Sequence, residues 1–160
     1  MEAIIQKIVT REYDMMIRIN NIGGPASCQS QTDAFSLMRT SQFQVWTNVM
    51  LESYLGDLID AEASGRNLLF EKYAWMMEHS LPDAFAQVRH ALPVLPPEQL
   101  AEVEECVAME AVWAEECARR YPALARHGRP LRTVQDTPEQ TSMETYNRGE
   151  LRTYSRRTLT

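Results

Sequence analysis

Apolar side chains recur every three or four residues along most of this chain, and no other feature constrains the fold as strongly. This spacing puts apolar side chains on one face of an α-helix, whereas a half-buried strand alternates apolar and polar residues. Strand-like alternation is absent from the sequence. The pattern therefore predicts an all-α fold, a helical bundle of about five main helices with a wrapped C-terminal segment.

Capping residues, glycines and prolines predict where these helices begin and end. The residues that mark the ends are a cap at Ser30, Thr32 or Asp33, a stop at Gly65 and a first turn at Pro97. We expect helices over 2–19, from the cap to 63 with a kink at Gly56, and over 67–79, 81–92 and 97–121. Residues 128–142 should be extended and 143–155 helical. The predicted domains are a bundle over 1–127 and, over 128–160, an extended segment and short helix that pack on it.

The composition is that of a soluble globular domain. The 160 residues are 44% hydrophobic and 24% charged. No run of about 18 apolar residues is present, so the sequence predicts no membrane-spanning helix. The start, MEAIIQKIVTREYD, is amphipathic and contains acidic residues, unlike a signal peptide. We expect a cytoplasmic protein without a membrane partner.

The net charge of −6 hides an uneven distribution. Residues 1–118 carry 7 basic and 18 acidic side chains, whereas residues 119–160 carry 9 basic and 4 acidic ones. An acidic body argues against nucleic acid as a partner. The basic C-terminal part is expected to fold back onto the acidic body or onto a partner subunit, and a homodimer stays open beside a monomer.

The cysteines are Cys28, Cys106 and Cys117, and their odd number suggests a reducing compartment. Cys106 and Cys117 lie about three helical turns apart, roughly 16 Å along a continuous helix, which is too far for a disulfide. Cys28 precedes a helix start, where the helix dipole and free amides favour a thiolate, so it is a candidate nucleophile. An inert thiol is the alternative.

Polar residues occupy helix positions where the apolar pattern asks for a core side chain. The inward positions are Glu12, Gln42, Glu52 and Glu110, and Glu71 shares a helix face with Trp75 and Glu78. An isolated buried charge is costly, so these groups must pair, hold a proton or bind a metal. Candidate ionic partners are Arg39, Arg66 and Lys72. A buried ion-pair network that only fixes helix packing is the competing explanation.

A carboxylate-metal site is a further alternative, although the sequence lacks the di-iron signature. Di-iron bundles combine glutamates with two Glu-x-x-His pairs. The histidines are His79, His90 and His127, and none follows a glutamate by three residues. A magnesium or manganese site rich in carboxylates stays open, and the sequence identifies neither a metal nor a cofactor.

Five stretches of the sequence are distinctive: NNIGGPASCQ, SQFQVW, ESYLGDL, GRNLLFEKYAWMME and TYNRGELRTYS. Together they resemble a family of small bacterial all-helical proteins catalogued as a domain of unknown function. The resemblance spans nearly the whole chain and implies no activity. It implies only positions, and most of these are polar, as in a site: Asn21, Gly24, Cys28, Gln29, Arg39, Gln42, Glu52, Arg66, Asn67, Glu71, Lys72, Tyr73, Glu144, Tyr146, Arg148 and Glu150.

These observations predict a polar pocket that the loop NNIGGPASCQ closes at one end. Its glycines let the backbone approach a ligand, and its amides lie beside a helix N-terminus that suits an anion. The first hypothesis is a small-molecule enzyme with acid–base glutamates, in which Arg and Lys anchor an anionic substrate. Its candidate catalytic residues are Glu12, Glu52, Glu71 and Cys28. Its candidate ligand-binding residues are Asn21, Gln29, Arg39, Gln42, Arg66, Asn67, Lys72, Tyr73, Tyr146 and Arg148, and the stretch around Tyr146, Arg148 and Glu150 would cover the pocket as a lid.

Two other functions compete with the enzyme. One is a non-catalytic ligand- or partner-binding helical module, which gains support if the inward carboxylates pair completely. The other is a carboxylate-metal bundle enzyme, which requires carboxylates that converge within a few ångströms. The sequence decides neither the substrate nor the reaction class.

Overall fold

The computed structural model describes residues 1–20, 24 and 27–160, with the backbone alone for Ser27 and Cys28. These residues form nine α-helices and no β-strand, which confirms the all-α prediction, and five of the helices have 12 or more residues. The helices are α1 (Glu2–Ile17), α2 (Thr32–Phe43), α3 (Asn48–Ala63), α4 (Leu68–Ser80), α5 (Pro82–Val88), α6 (Pro97–Arg120), α7 (Pro122–Ala125), α8 (Met143–Leu151) and α9 (Arg156–Leu159). Short 3₁₀ turns cover Ser27–Ser30, Arg89–Ala91 and Thr133–Gln135. Within these ranges, every helix is too short or too polar to cross a membrane.

The described chain groups into two compact units. The first unit contains Met1–Phe70 and Thr160, and the second contains Glu71–Leu159. In the first unit α1 packs against α2 and α3, and in the second α6 packs against α7, α8 and α9. The C-terminal segment, as far as Leu159, belongs to the second unit. The predicted domain division at residue 127 stays a prediction.

The prediction of one continuous second helix with a kink at Gly56 is wrong. α2 ends at Phe43, α3 begins at Asn48, and Gly56 lies inside α3 without interrupting it. Thr47 accounts for the break, because its backbone is extended (φ −71°, ψ 158°) and its hydroxyl oxygen accepts a hydrogen bond from the Met50 N–H at 3.3 Å. An N-cap residue with this conformation starts a new helix and does not continue the previous one.

The inward orientation predicted for Glu52 is also wrong, because the stripe that contains it has the wrong phase already within α2, where Met38 is 71% exposed and Arg39 and Phe43 are buried. That prediction carried one apolar stripe from α2 into α3 through Val45 and Val49. The two valines are 85% and 77% exposed, and Glu52 is exposed as well. The buried side chains of α3 form a stripe with a different phase: Leu51, Ser53, Tyr54, Asp57, Leu58 and Ala61.

The end of α3 confirms the stop predicted at Gly65. This glycine has φ 72°, a left-handed conformation that other residues adopt only with strain. The Arg66 N–H donates to the Ala61 carbonyl at 2.8 Å and the Gly65 N–H to the Glu62 carbonyl at 3.1 Å, as in a Schellman motif. The side chain of Arg66 is exposed and does not point into a core.

Two candidate ligand-binding residues, Gln29 and Asn67, bind carbonyl groups at the end of α1 and just beyond it. Gln29 Nε2 donates to the carbonyls of Met16 and Ile19 at 2.9 and 3.0 Å. Asn67 Nδ2 donates to the Met15 carbonyl at 2.7 Å, and its Oδ1 accepts an N–H bond in the first turn of α4. These bonds satisfy main-chain groups that helix ends leave open, which gives both amides a structural role.

In the second unit, α6 begins at Pro97 as predicted, and α8 approaches α4 at Gly149. A Cβ atom on Gly149 would lie 2.8 Å from the Lys72 carbonyl oxygen and 2.8 Å from Met76 Cγ. Glycine therefore permits a close contact between the two helices. This contact brings the side chains of α8 next to Lys72.

Arginines of the C-terminal segment bind glutamates of α4 and α6, which is the first of the two outcomes that the charge pattern left open. The pairs are Arg132–Glu115, Arg148–Glu104, Arg152–Glu78 and Arg156–Glu102. Each is partly exposed, so each contributes little stability alone. Together they neutralise acidic side chains of α4 and α6 within the second unit.

Candidate functional site

Glu12 is the centre of a buried ion-pair cluster in the first unit, and its predicted inward orientation is confirmed. The residue is 0% exposed. Its Oε2 accepts a hydrogen bond from Arg39 Nε at 2.7 Å, and its Oε1 accepts from Arg39 Nη2 and from the Tyr54 hydroxyl, the latter at 2.7 Å. Arg39 Nη1 also donates to Gln42 Oε1 at 2.6 Å. The structure thus brings together three residues that the sequence predicted as site residues, Glu12, Arg39 and Gln42.

Aromatic rings surround this cluster. The guanidinium carbon of Arg39 lies 4.8 Å from the centre of the Phe43 ring, and Trp46 contacts both Phe43 and Tyr54, with ring centres 5.1 and 5.8 Å apart. A charge pair in such apolar surroundings is maintained only when its hydrogen bonds are satisfied. Both oxygens of Glu12 have donors, which fits a packing role, and the catalytic role of Glu12 stays a prediction.

Lys72 is the centre of the cluster in the second unit. Its Nζ donates to the Tyr146 hydroxyl at 2.6 Å and to Glu150 Oε2 at 2.7 Å, and the Tyr154 hydroxyl donates to Glu150 Oε1 at 2.7 Å. The side chains of Lys72 and Glu150 are only 4% and 6% exposed. The ammonium group therefore holds the Tyr146 oxygen in place from inside the unit.

The hydroxyl group of Tyr146 has a proton left to donate. Because Lys72 has no acceptor, the hydrogen bond between the two residues uses a lone pair of the phenol oxygen. No residue in the described part of the chain accepts the Tyr146 O–H proton. The Arg129 guanidinium lies 4.9 Å from the centre of the Tyr146 ring and is held by the Thr141 carbonyl and hydroxyl oxygens, each at 3.0 Å. Tyr146 is half-buried, and it contacts a buried cation at its hydroxyl and a more exposed cation at its ring.

Glu110, on α6, adds a carboxyl group to this region. It is half-buried, and its Oε2 accepts a hydrogen bond from Asn147 Nδ2 at 2.7 Å. Burial raises the pKa of Glu110 above its usual value, the Asn147 bond lowers it, and the charge of Glu150 raises it further, with a net upward shift. None of the described residues donates to the second oxygen of Glu110. The carboxyl group of Glu110 therefore has a raised pKa and one oxygen that can accept a further hydrogen bond.

Three residues of α8 organise this region. Tyr146 and Glu150 are four positions apart, and Asn147 and Glu150 are three apart, so all three share one side of the helix. The sequence placed Glu110 on an inward stripe but did not select it as catalytic, and it did not identify Asn147 or Arg129. Asn147 could have been selected from the sequence, because it follows Tyr146 within the distinctive stretch TYNRGELRTYS. Arg129 could not, because it lies in a stretch that was predicted only to be extended.

Arg148, another candidate ligand-binding residue, is held by acidic side chains. It binds Glu104 at 2.9 Å and Glu144 at 3.2 Å. Burial raises the pKa of Glu144, but the Thr133 N–H at 2.9 Å and the Arg148 charge outweigh it and hold this pKa below its usual value. Arg148 therefore helps to fix the first turns of α8, and its role toward a ligand stays a prediction.

The roles of the remaining candidates are not tested by their positions in the structure. Glu71 is buried, and Tyr73 is half-buried with its ring centre 5.9 Å from Lys72 Nζ. Asn21 and the side chain of Cys28 lie outside the described residues. Their predicted roles, and those of the exposed Glu52 and Arg66, stay predictions.

A metal site would need several ligands close together. Within residues 1–20, 24 and 27–160, no three His, Cys, Asp or Glu side chains form a group that could hold a metal ion. Cys106 and Cys117 are free thiols. The convergence that the metal hypothesis requires is not found in this part of the chain.

A family model described as protein of unknown function (DUF4125) matches residues 2–160. The chain belongs to this family. The match confirms the resemblance to a family without an assigned activity. No curated protein and no solved structure matches significantly. For this DUF4125 member, the evidence on function therefore lies in the clusters around Glu12 and Lys72.

Proposed function

We propose that this DUF4125 protein is a small-molecule enzyme that transfers a proton at the cluster in its second unit. Glu110 is the acid–base group, and the single observation that carries the proposal is its half-buried carboxyl group with a raised pKa and one oxygen that no described residue engages. An acid–base catalyst works best when its pKa lies near the operating pH, and burial moves a carboxyl group in that direction.

Tyr146 and Lys72 supply the complementary group. The Tyr146 hydroxyl can donate its proton to a substrate oxygen, while the Lys72 ammonium, 2.6 Å from the phenol oxygen, stabilises negative charge that develops there. Glu150 holds Lys72 at 2.7 Å, and Tyr154 holds Glu150, so the ammonium is fixed before a substrate arrives. Such fixed donors stabilise a developing charge without reorganisation.

Arg129 provides the substrate anchor. Its Nη1 binds Thr141, and its side chain is exposed beside the Tyr146 ring. The rest of the guanidinium can bind a carboxylate or phosphate group. The substrate class is therefore a small molecule with an anionic group and an oxygen that accepts a proton from Tyr146.

The test is a thermal-shift screen of small carboxylates and phosphates, followed by detection of product by mass spectrometry. Tyr146→Phe and Arg129→Gln should weaken binding of the hit about 10-fold or more, since each removes a hydrogen bond or charge to the ligand. Glu110→Gln should keep binding and abolish conversion. The matched controls are Tyr121→Phe and Arg126→Gln, which alter exposed side chains and should change neither property.

The outcomes separate the hypotheses. A ligand that binds and is converted equally well by Glu110→Gln and Tyr146→Phe would exclude this site. A ligand that binds at Arg129 and Tyr146 without conversion would indicate the non-catalytic module.

The module is the second candidate because of a specific observation. Two buried carboxylates, Glu12 and Glu150, each accept hydrogen bonds from a cation and a tyrosine. Complete pairing of this kind is what a scaffold with purely structural ion pairs requires. A screen in which no small molecule binds would favour this candidate over the enzyme.

The wider assignment rests on the sequence. We infer a bacterial, cytoplasmic protein: the resemblance to a bacterial family supports the origin, and the odd cysteine count supports the compartment. The pairing of C-terminal arginines with glutamates of α4 and α6 supports a protein that does not bind nucleic acid. The proposed activity is the same for a monomer and for a homodimer.

A further inference from the structure

α6 has a second apolar face that the described part of the chain does not cover. Its covered face consists of Val103, Val107 and Ala111, all buried. On the opposite side Met109, Val112 and Trp113 are 51%, 58% and 63% exposed. A helix that presents apolar side chains on two opposite faces needs a partner for each of them.

Charged residues continue this second face at both ends. Successive members are three, four or one position apart, which puts them all within one stripe of the helix. We call the stripe the outer face; its members are Glu105, Met109, Val112, Trp113, Glu116 and Arg120. An exposed tryptophan at the centre of an apolar stripe with a charged rim is typical of a protein–protein interface.

We propose that the outer face binds the outer face of a second copy of this chain, with the two α6 helices antiparallel about a two-fold axis. The contact would be isologous, since the same patch is used by both copies. The inference goes beyond the proposed activity and does not depend on it.

The distribution of charge on the outer face identifies the second copy as the partner. Glu105 lies seven residues before Val112, and Arg120 lies seven residues after Trp113. A two-fold axis between Val112 and Trp113 therefore places Glu105 of each copy opposite Arg120 of the other. A parallel pair would instead place Glu105 against Glu105 and Arg120 against Arg120, which is repulsive.

The same arrangement suits the apolar centre. Trp113 of each copy meets Val112 of the other at the axis, so the most exposed aromatic ring of α6 is covered at the middle of the contact. Arg120 forms an ion pair with Glu116 of its own helix, which holds the guanidinium on the outer face. The antiparallel helix dipoles also favour this orientation over a parallel one.

The first experiment measures self-association by sedimentation velocity from about 1 to 100 µM, a range that covers ordinary homodimers. The wild-type chain should sediment as a dimer at the upper end. Trp113→Glu, and independently Val112→Glu, should raise the dissociation constant about 100-fold, since each puts a charge at the centre of the interface. Val134→Glu is the matched control, because Val134 is 91% exposed and lies outside the outer face. Circular dichroism melts confirm that the variants are folded.

The second experiment tests the antiparallel register. Glu105→Arg and Arg120→Glu alone should each weaken the dimer about 10-fold, because each creates two like-charge contacts. The double variant exchanges the charges and should return to within about threefold of the wild type. A wild-type monomer at about 100 µM, or a dimer that Trp113→Glu and Val112→Glu leave intact, would overturn the proposal. So would a double variant that is no tighter than the single ones.

Discussion

The ion pair of Glu12 and Arg39 allows a sharp test of how the first unit is stabilised. Arg39→Met removes the guanidinium and keeps an apolar side chain of similar length. It leaves the Glu12 carboxylate, 0% exposed, with the Tyr54 hydroxyl as its one donor in the described chain. A buried charge that loses its partner in this way costs about 3–5 kcal/mol of unfolding free energy.

Arg11→Met is the matched control, because it breaks an ion pair with Glu62 in the same unit. The side chains of that pair are 37% and 34% exposed, compared with 6% and 0% for Arg39 and Glu12. An exposed pair is worth about 1 kcal/mol or less. Because the two pairs differ in burial, Arg39→Met should lower the free energy of unfolding severalfold more than Arg11→Met does.

A double-mutant cycle isolates the interaction. Glu12→Gln alone leaves Arg39 without its carboxylate, and the double variant Glu12→Gln with Arg39→Met removes both charges. We expect the double variant to lose less stability than the sum of the single losses, by about 2–3 kcal/mol. Arg39 retains its bond to Gln42 in the Glu12→Gln variant, so that single loss should be the smaller one.

The assay is urea unfolding followed by tryptophan fluorescence and by circular dichroism. Trp46 lies 5.8 Å from the Tyr54 ring and reports on the cluster, while circular dichroism reports on all helices and detects separate transitions of the two units. With a slope of about 2–3 kcal/mol/M, a loss of about 3–5 kcal/mol in Arg39→Met should lower the urea midpoint by about 1–2.5 M. Equal midpoints for Arg39→Met and Arg11→Met, or strictly additive losses in the cycle, would refute the reasoning.

Three further predictions concern the second unit. Gly149→Ala should lower the free energy of unfolding, measured by thermal melts, by about 1–2 kcal/mol, since overpacking against the Lys72 carbonyl and Met76 outweighs the gain in helix propensity. The control Gly128→Ala should be nearly neutral in the same melts. Glu110→Gln should increase the free energy of unfolding at pH 7, measured by chemical unfolding. The native pKa of Glu110 is raised, so its ionised form destabilises the wild-type protein at high pH, and the advantage of the variant should vanish as the pH falls below about 4.5. Glu144→Gln should behave oppositely, because the native pKa of Glu144 is lowered; its contribution is present above about 4.5 and is lost as the pH falls through the native value, so the variant's loss at pH 7 should disappear in acid. A Glu144→Gln profile parallel to that of Glu110→Gln would contradict both assignments.

The sequence predicted many of the residues of the candidate site, but it did not predict which of them contact each other. The polar positions on apolar stripes correctly indicated that Glu12 is buried, and Arg39 was a candidate partner. The pairing itself joins residues 27 positions apart, and Lys72 meets Glu150 over 78 positions. Helix periodicity is a local property, so it says which side of a helix a residue takes and not which residue of another helix it meets.

The error at Glu52 shows where a local pattern fails. The predicted stripe runs through Met38, which is 71% exposed, whereas the buried residues of α2 are Arg39 and Phe43, so its extension into α3 put Glu52 on the wrong face. The break between α2 and α3 is a separate error: Thr47 has the residue type of a cap, but threonine also occurs inside helices, so its presence alone did not identify a helix start.

The sequence by itself determined the all-α class, the stop at Gly65 and the start of α6 at Pro97, and it indicated that the basic segment binds acidic side chains of its own body or of a partner subunit. These features follow from periodicity, backbone conformational preference and net charge, which are properties of short stretches or of composition. Only the tertiary structure decided that Glu110 meets Asn147 and that Lys72 meets Tyr146 in the second unit. That decision depends on how closely α8 approaches α4 at Gly149 and on the packing of α8 against α6, and such packing is set by the fit of side chains from distant parts of the chain.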